Sequence, residues 1–392
     1  MKIFLHDNSG HPFQVQLSRS LAARGHEVTH SSFAEFQTPK GNLSRQPSDP
    51  ESLTIHEFRL NEPFAKASLV KRWTQERRLG KKLAQYILDN RPDVVIASNT
   101  PLDALVPMQK AAKKTGARFI FWVQDIYSEA IGRILRRKSA LLGATAGGWY
   151  SRLERNLLNG SDAIVVISPD FVDHLGTMGV DTAQTYVIEN WAPLDEMVPV
   201  ARDNDWSAAL TDGKACRYVY AGTLGKKHNP ELLVGLARQQ DSHLYVFSEG
   251  EGADYLKAKL EAEPSLNMTV APWVPFELLP KVLSSADALV CIVEEEASIF
   301  CVPSKVLTYL CVGRPLLLAV PESNLATRIV RGADAGLVAG PNDMDGFLAN
   351  AHTLAADAAL RTRMGENGRA YALETFDIER ITDQFMKVIG GA

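Results

Sequence analysis

Residues 117–123 have the sequence ARFIFWV, and residues 162–168 have the sequence DAIVVIS. Both stretches are almost wholly apolar and short, and DVVIAS at 93–98 is a third of the same kind. Segments with helical periodicity separate them along the chain. Continuous apolar strands that alternate with helices are typical of a parallel sheet covered on both faces.

The second half of the chain repeats this pattern. Its apolar stretches are RYVYAG at 217–222, HLYVFSE at 243–249, MTVAP at 268–272, DALVCIV at 287–293 and RPLLLAV at 314–320. A stretch without periodicity, 190–215, separates the two series, and a length of 392 residues also favours two domains. We therefore predict an α/β protein of two doubly wound, Rossmann-like domains that face a central cleft. They comprise residues 1–196 and 197–373, and a final helix within 374–392 packs back on the first domain.

Composition and charge narrow the classes of protein that this chain can be. Hydrophobic residues make up 45%, charged residues 22% and aromatic residues 8%, which excludes a disordered, collagenous or coiled-coil chain. The net charge of -4 conceals an asymmetry. Residues 1–195 hold 24 Lys and Arg against 20 Asp and Glu, and the remainder holds 18 against 26. We expect the two halves to meet different partners.

Cysteine usage and the apolar segments predict the cellular compartment. The four cysteines lie in the second half without a CxxC pair, which argues against a zinc knuckle and favours buried free thiols in a reducing compartment. The N-terminal MKIFLH lacks the apolar run of a secretory signal. The longest uncharged apolar-leaning stretch, 139–151, is too short to span a bilayer. The sequence therefore predicts a cytoplasmic protein.

A glycine-containing loop follows the first strand of each predicted domain. The loops are Asp7–Pro12 and Ala221–Pro230, and neither is a GxGxxG or a Walker motif. In the second loop, Gly222 and Gly225 allow close backbone approach, and Lys226 and Lys227 supply two cations. This combination suits a diphosphate, although a plain strand-to-helix turn with solvated lysines remains the alternative.

Five segments resemble a known family when they are taken in order. They are RSLAARGHEVTH at 19–30, NGSDAIVVIS at 159–168, VIENWAP at 187–193, YAGTLGKKHNPELL at 220–233 and VPSKVLTYLCVGRP at 302–315. Together they resemble the family 4 retaining glycosyltransferases of the GT-B fold. The resemblance is closest to bacterial enzymes of O-antigen, colanic acid and other surface polysaccharide synthesis, and it extends over nearly the whole chain.

The resemblance implies that the second domain binds a nucleotide-sugar donor, most often a uridine diphosphate sugar. Thr223 stands at the family's Arg position and His228 at its Lys position, with Lys226 and Lys227 between them. The residues that the resemblance assigns to the donor site are Gly10, His11, Gly222, Thr223, Lys226, Lys227, His228, Glu249, Gly250, Pro303, Ser304, Lys305 and Thr308.

The sequence departs from the family where relatives carry two glutamates eight residues apart. Phe300 and Thr308 occupy those positions, and Pro303-Ser304-Lys305 lies between them. From the N-terminus of a helix, Ser304 and Lys305 are expected to contact the diphosphate or the nucleoside. The run Glu294–Glu296 either supplies a carboxylate to the sugar or forms an acidic loop in solvent.

For catalysis, the resemblance points to Asp125 in FWVQDIYSEA. Asp125 is expected to activate or orient the acceptor, and the alternative is that it caps a helix. In retaining enzymes of this kind the leaving phosphate itself takes the acceptor proton. Two DxD matches, at 203–205 and 343–345, lie in a linker and in a turn, so we expect neither a metal nor a cofactor.

The basic excess of the first half lies in two clusters with interleaved apolar residues. The cations expected to face an anionic membrane surface and a lipid-linked acceptor are Lys71, Arg72, Arg77, Arg78, Arg136 and Arg137. Solvated helix faces are the alternative. A nucleic-acid partner is not expected, because the sequence pI is about 6.2 and no recognised motif is present.

These features predict a glycosyltransferase at the inner face of the cell membrane that adds a sugar to a glycan or a polyprenyl-linked saccharide. Two other functions remain open. One is a UDP-N-acetylglucosamine 2-epimerase on the same fold, and the other is a subunit without catalytic activity that only scaffolds a partner.

Overall fold

The computed structural model describes residues 1–36, 38, 40–65, 68–210, 216–225, 228–295 and 302–391. The chain forms two compact units. The first consists of Met1–Glu189 together with Ile378–Ala392, and the second consists of Asn190–Asp377. The sequence placed these boundaries at 196/197 and 373/374.

The first unit is built on a parallel sheet. Its strands are β1 (Lys2–Asp7), β2 (Glu27–Phe33), β3 (Leu53–Phe58), β4 (Val94–Ser98), β5 (Arg118–Val123), β6 (Ala163–Val166) and β7 (Thr185–Val187). They are ordered β3-β2-β1-β4-β5-β6-β7, and each neighbouring pair is parallel. Every residue of β4 and β6 is buried, as continuous apolar strands require when both faces of a sheet are covered.

Helices connect the strands of the first unit. They are α1 (Pro12–Ala23), α2 (Leu69–Asn90), α3 (Leu102–Thr115), α4 (Tyr127–Lys138), α5 (Ala140–Leu142), α6 (Gly148–Asn159) and α7 (Pro169–Thr177), with a π-helical turn at Gly143–Gly147.

The second unit repeats the plan with strands β8 (Cys216–Ala221), β9 (Ser242–Phe247), β10 (Met268–Ala271), β11 (Ala288–Ile292), β12 (Leu316–Ala319) and β13 (Gly336–Ala339). They are parallel and ordered β10-β9-β8-β11-β12-β13. Its helices are α8 (Glu231–Ala237), α9 (Glu251–Ala262), α10 (Leu279–Ser284), α11 (Ser304–Cys311), α12 (Leu325–Gly332), α13 (Met344–Ala356) and α14 (Ala358–Thr375). Two 3-10 turns lie at Ser207–Ala209 and Phe276–Leu278. These two sheets confirm the predicted α/β class with two Rossmann-like domains.

The last helix, α15 (Ile378–Gly390), packs on the first unit. The Arg24 guanidinium on α1 lies 2.7 Å from the Glu379 carboxylate, and the rings of Trp122 and Phe385 are 4.7 Å apart. Trp122 and Phe385 are both fully buried. Ring packing in the core therefore holds this helix in place, and the ion pair lies at its rim.

Three strands, β3, β7 and β13, were absent from the sequence prediction. Each lies at the edge of its sheet, hydrogen-bonded on one side only. An edge strand is partly exposed, so its sequence need not be continuously apolar, as the mixed burial along β3 illustrates. In the described part of the chain, no helix is both long and apolar enough to cross a membrane.

Candidate functional site

The loops that the sequence assigned to the donor lie at one edge of the second sheet. Strands β8 and β11 are adjacent and parallel, so the segments that follow them leave from the same side. The strand order reverses at this pair, and doubly wound sheets bind ligands outside the carboxyl ends of such strands. The loop from Gly222 onward and the start of α11 therefore share this edge.

Lys305, in the first turn of α11, reaches the glycine loop after β8. Its Nζ donates to the Tyr220 hydroxyl at 2.5 Å and to the Thr223 carbonyl oxygen at 3.2 Å. A Cβ placed on Gly222 would lie 3.4 Å from Lys305 Cε, and the φ angle of Gly222 is +126°. Glycine is thus favoured by the backbone conformation, and the end of the lysine side chain packs against it. The structure brings Gly222, Thr223 and Lys305 together.

Two buried tyrosines hold this arrangement, and neither was predicted from the sequence. The Tyr220 hydroxyl donates to the Thr223 carbonyl oxygen at 2.7 Å. The Tyr309 hydroxyl accepts from the Ala221 amide at 2.9 Å and contacts the Ala221 carbonyl at 3.1 Å. Burial raises the pKa of both phenols above the ordinary value, so both stay neutral hydrogen-bond donors. A tyrosine in an apolar run gives no sign of this role.

The structure describes some of the other residues that were predicted for the donor site. His228 Nδ1 accepts from the Gly225 amide at 3.0 Å, which leaves Nε2 as the protonated nitrogen of the neutral ring. Gly250 has a φ of +94° at the N-cap of α9, next to the exposed Glu249. Pro303 is the N-cap of α11, Ser304 is exposed, and the Thr308 hydroxyl donates to the Ser304 carbonyl oxygen at 3.4 Å. Lys226, Lys227, Glu296 and Phe300 lie outside the described residues.

The corresponding edge of the first sheet holds a buried carboxylate. Asp7 ends β1 and is fully buried. Its oxygens accept from the Ser9 amide at 3.0 Å, from the His11 amide and from Asn99 Nδ2 at 3.1 Å. The Gln14 side chain lies 2.7 Å from Asp7 Oδ1 in the orientation that turns its nitrogen toward the carboxylate.

These contacts decide the charge of Asp7. Burial by itself raises the pKa of the carboxyl, but the hydrogen bonds and charge of His11 outweigh it, so the pKa lies below the ordinary value. Asp7 is therefore a fixed anion that organises the loop through Gly10, whose φ is +78°. The sequence predicted Gly10 and His11 here, but it did not predict Asp7, Gln14 or Asn99.

Asn99 also sets the orientation of His11. Asn99 Nδ2 lies 3.2 Å from His11 Nδ1, and the His11 side chain is 26% exposed. His11 Nδ1 also lies 3.6 Å from Asp7 Oδ1, so this ring nitrogen faces both the carboxylate and the Asn99 amide.

Asp125 follows β5 and is partly exposed. The N-cap position of α4 is Ile126, and Glu154 accepts the first amides of the helix, from Tyr127 at 2.9 Å and from Ser128 at 2.9 Å. Glu154 is fully buried, and burial raises the pKa of its carboxyl. Glu154, on α6, thus accepts two of the amides at the start of α4.

The first basic cluster is partly neutralised by ion pairs. Arg72 Nε lies 2.7 Å from the Glu76 carboxylate, and Arg78 Nη1 lies 2.5 Å from the Glu62 carboxylate. Arg77 stacks 4.7 Å over the ring of Trp73. In the second cluster, the aliphatic part of the Arg136 side chain packs so closely against Gly143 that a Cβ on Gly143 would clash with it. The side chain of Arg137 lies outside the described part of the chain.

The two DxD matches have structural roles. The Asp343 side chain accepts from the Gly346 amide at 2.9 Å as the N-cap of α13. Asp203 pairs with Arg202 at 2.9 Å, and Asp205 pairs with Lys281 at 2.7 Å. A cap or an ion pair therefore accounts for three of the four acidic side chains, and the fourth, Asp345, lies in the first turn of α13.

Two parallel Rossmann-like units with these carboxyl-edge loops define the GT-B fold class. Residues 11–191 match the family described as the glycosyl transferase 4-like domain. The chain is 21% identical over 259 residues to the probable glycosyltransferase WbjE of Pseudomonas aeruginosa, and the alignment covers 64% of this chain and 64% of WbjE.

Solved structures show the same fold. Sucrose-phosphate synthase from Thermosynechococcus elongatus superposes with a TM-score of 0.75 at 18% identity, over 98% of this chain and 97% of that one. HepE from Anabaena, in complex with UDP and glucose, superposes with a TM-score of 0.74 at 17% identity over 100% of both chains.

Proposed function

We propose that this protein is a retaining glycosyltransferase that moves a sugar from a UDP-sugar to a glycan or lipid-linked acceptor in bacterial surface polysaccharide synthesis. The observation that carries the proposal is the convergence of Lys305 on Gly222 and Thr223 at the carboxyl edge of the second sheet. The match of residues 11–191 and the likeness to WbjE and to UDP-bound HepE support it.

The chemistry at this edge suits departure of a nucleoside diphosphate. A lysine cation beside a glycine turn stabilises negative charge that grows on the leaving phosphate, and the N-terminus of α11 adds its dipole. In the proposed reaction the sugar C1–O bond to the phosphate breaks, and the acceptor oxygen bonds to C1 on the same face. The acceptor proton passes to the phosphate oxygen, so neither a metal ion nor a cofactor takes part. Asp125 orients the acceptor hydroxyl.

Ligand-induced thermal stabilisation tests the proposal. UDP at about 100 times its dissociation constant is expected to add roughly 2.7 kcal/mol to the free energy of unfolding. Slow hydrolysis of one UDP-sugar without acceptor is the second expected result. If UDP, GDP, TDP and their sugars all leave the melting temperature unchanged, the chain is a scaffold. If the UDP-sugar is converted to its 2-epimer without release of UDP, it is an epimerase.

We also propose that the first unit lies on the inner face of the cell membrane, where a polyprenyl-linked acceptor would be presented. The exposed large apolar side chains that support this share the two segments that carry the basic clusters: Val70, Ile134 and Leu141. Apolar side chains beside cations suit an anionic lipid surface. Because ion pairs neutralise Arg72 and Arg78, the apolar side chains carry more of this argument than the charge does.

Leu141→Glu tests the membrane proposal, because Leu141 is 72% exposed. The substitution removes a leucine that the lipid would bury and adds a charge that anionic lipid repels. Binding to vesicles with anionic lipid, measured by co-sedimentation, is therefore expected to weaken by roughly tenfold or more. Leu373→Glu is the matched control, since Leu373 is 55% exposed on α14 of the second unit. Equal losses in both variants, or none in Leu141→Glu, would contradict the proposal.

A further inference from the structure

A carboxylate in the first unit holds two aromatic side chains, and the donor site does not use it. Asp103, in the first turn of α3, accepts from the Trp73 indole nitrogen at 3.0 Å and from the Tyr150 hydroxyl at 2.8 Å. Trp73 belongs to α2 and Tyr150 to α6. Both carboxylate oxygens thus fix a polar group of an aromatic residue that is partly exposed.

The three side chains share one edge of the sheet. Helices α2, α3 and α6 each lead back to the start of the next strand, so their first turns lie at the carboxyl edge. Asp125 leaves β5 at the same edge. The aromatic cluster therefore lies at the same edge of the first sheet as the residue proposed to orient the acceptor.

Trp73, Trp149 and Tyr150, here called the aromatic platform, are each at least partly exposed to solvent. Trp73 is 37% exposed and Trp149 is 51% exposed, and the rings of Trp149 and Tyr150 are 4.7 Å apart. Because Asp103 fixes the indole nitrogen and the phenol, the rings are oriented before any ligand arrives. Large aromatic side chains with a polar anchor are typical of binding surfaces.

The charges beside this platform balance. Arg77 stacks over Trp73, Arg72 pairs with Glu76, and Asp103 supplies the second carboxylate. Burial raises the pKa of both the Glu76 and the Asp103 carboxyl groups. Because two cations face two carboxylates, the surface has no excess positive charge to bind a phosphate. A lipid chain would have to remove water from all four charged groups, which is costly. A neutral ligand with many hydroxyls fits this surface.

We propose that Trp73, Asp103 and Tyr150 form a subsite for a neutral pyranose of the acceptor saccharide. The C–H face of the sugar packs on the part of the Trp73 indole ring that Arg77 leaves exposed, where the π electrons attract those hydrogens. Its hydroxyls donate to the free lone pairs of Asp103 and accept from Arg77. The inference rests on the proposed function, because it names the acceptor for the same reaction.

The test uses the full chain and methyl glycosides of glucose, galactose, mannose and N-acetylglucosamine. Binding is measured by saturation-transfer NMR. At least one glycoside is expected to bind, and Trp73→Ala should weaken it by roughly tenfold, the loss expected for one aromatic contact. Trp73→Phe should retain part of the affinity. Asp103→Asn should also weaken binding, because an amide accepts only one of the two hydrogen bonds.

The control is Gln85→Ala on the same helix, an exposed position whose side chain donates to Asp89, and it should bind the glycosides like the wild type. UDP-induced stabilisation should be unchanged in every variant, which separates this inference from the donor site. The proposal is overturned if no glycoside binds while UDP does, or if Trp73→Ala and Asp103→Asn bind as the wild type. It is equally overturned if anionic vesicles protect the fluorescence of Trp73 from quenching and the glycosides do not.

Discussion

Lys305→Ala is expected to weaken UDP binding by about 10- to 150-fold. Hydrogen bonds that involve a charged group contribute roughly 1.5–3 kcal/mol, and Lys305 is the described cation that reaches the glycine loop. The fold should persist, because the Tyr220 hydroxyl still donates to the Thr223 carbonyl oxygen when Nζ is removed. Isothermal titration with UDP measures the loss, and the melting temperature without ligand checks the fold.

Lys281→Ala provides the matched control for Lys305→Ala. Lys281 also belongs to a helix of the second unit, but its Nζ pairs with Asp205 at 2.7 Å and both groups are exposed. Exposed pairs contribute roughly 1 kcal/mol or less, so we expect neither stability nor UDP affinity to change much. If Lys305→Ala bound UDP as tightly as the wild type, the assignment of Lys305 to the diphosphate would be wrong.

The second prediction concerns stability in mild acid. His6 and His30 are fully buried, and burial lowers the pKa of each to about 4. His6 Nδ1 lies 2.9 Å from the Ser31 hydroxyl, and His30 Nδ1 lies 2.9 Å from the Ser18 hydroxyl. Both rings are neutral in the folded chain at neutral pH.

The direction of the pH effect follows from these two pKa values. As the pH falls from about 6.5, the histidines of the unfolded chain take up protons and those of the folded chain do not. The free energy of unfolding therefore falls until the pH reaches about 4, where the folded chain is protonated too. Each histidine is expected to remove about 1.4 kcal/mol per pH unit within this window.

Urea unfolding between about pH 7 and about pH 5 measures this effect. His6→Phe keeps an aromatic ring against Phe4 and Phe58 but cannot titrate, so the slope of unfolding free energy against pH should fall by one proton. Glu76, Asp103 and Glu154, whose pKa values are raised, act in the opposite direction in both proteins. An unchanged slope in His6→Phe would show that His6 is protonated in the folded chain.

Much of the fold follows from sequence pattern. Continuous apolar runs such as 93–98 and 287–293 predicted central strands, since both faces of those strands are buried. Edge strands such as β7, with three residues, were missed because a one-sided strand need not be apolar throughout.

The candidate site was predicted only in part. Glycines and lysines mark a phosphate-type loop in sequence, so Gly222 and Lys305 could be named in advance. Tyr220, Tyr309 and Asp7 could not, because their roles depend on partners 85 or more residues away or on burial. Asp103 likewise gains its two aromatic partners only when three helices meet.

The sequence by itself determined the class of fold and where its loops fall, because strand periodicity and glycine positions are local properties of the chain. It also determined the charge of each half. The tertiary structure decided which side chains act together. It removed Arg72 and Arg78 from the free basic surface, made Asp7 a buried anion and brought Lys305 to the loop after β8. Hydrogen bonding, burial and ion pairing depend on distances between residues far apart in sequence, and only folding sets those distances.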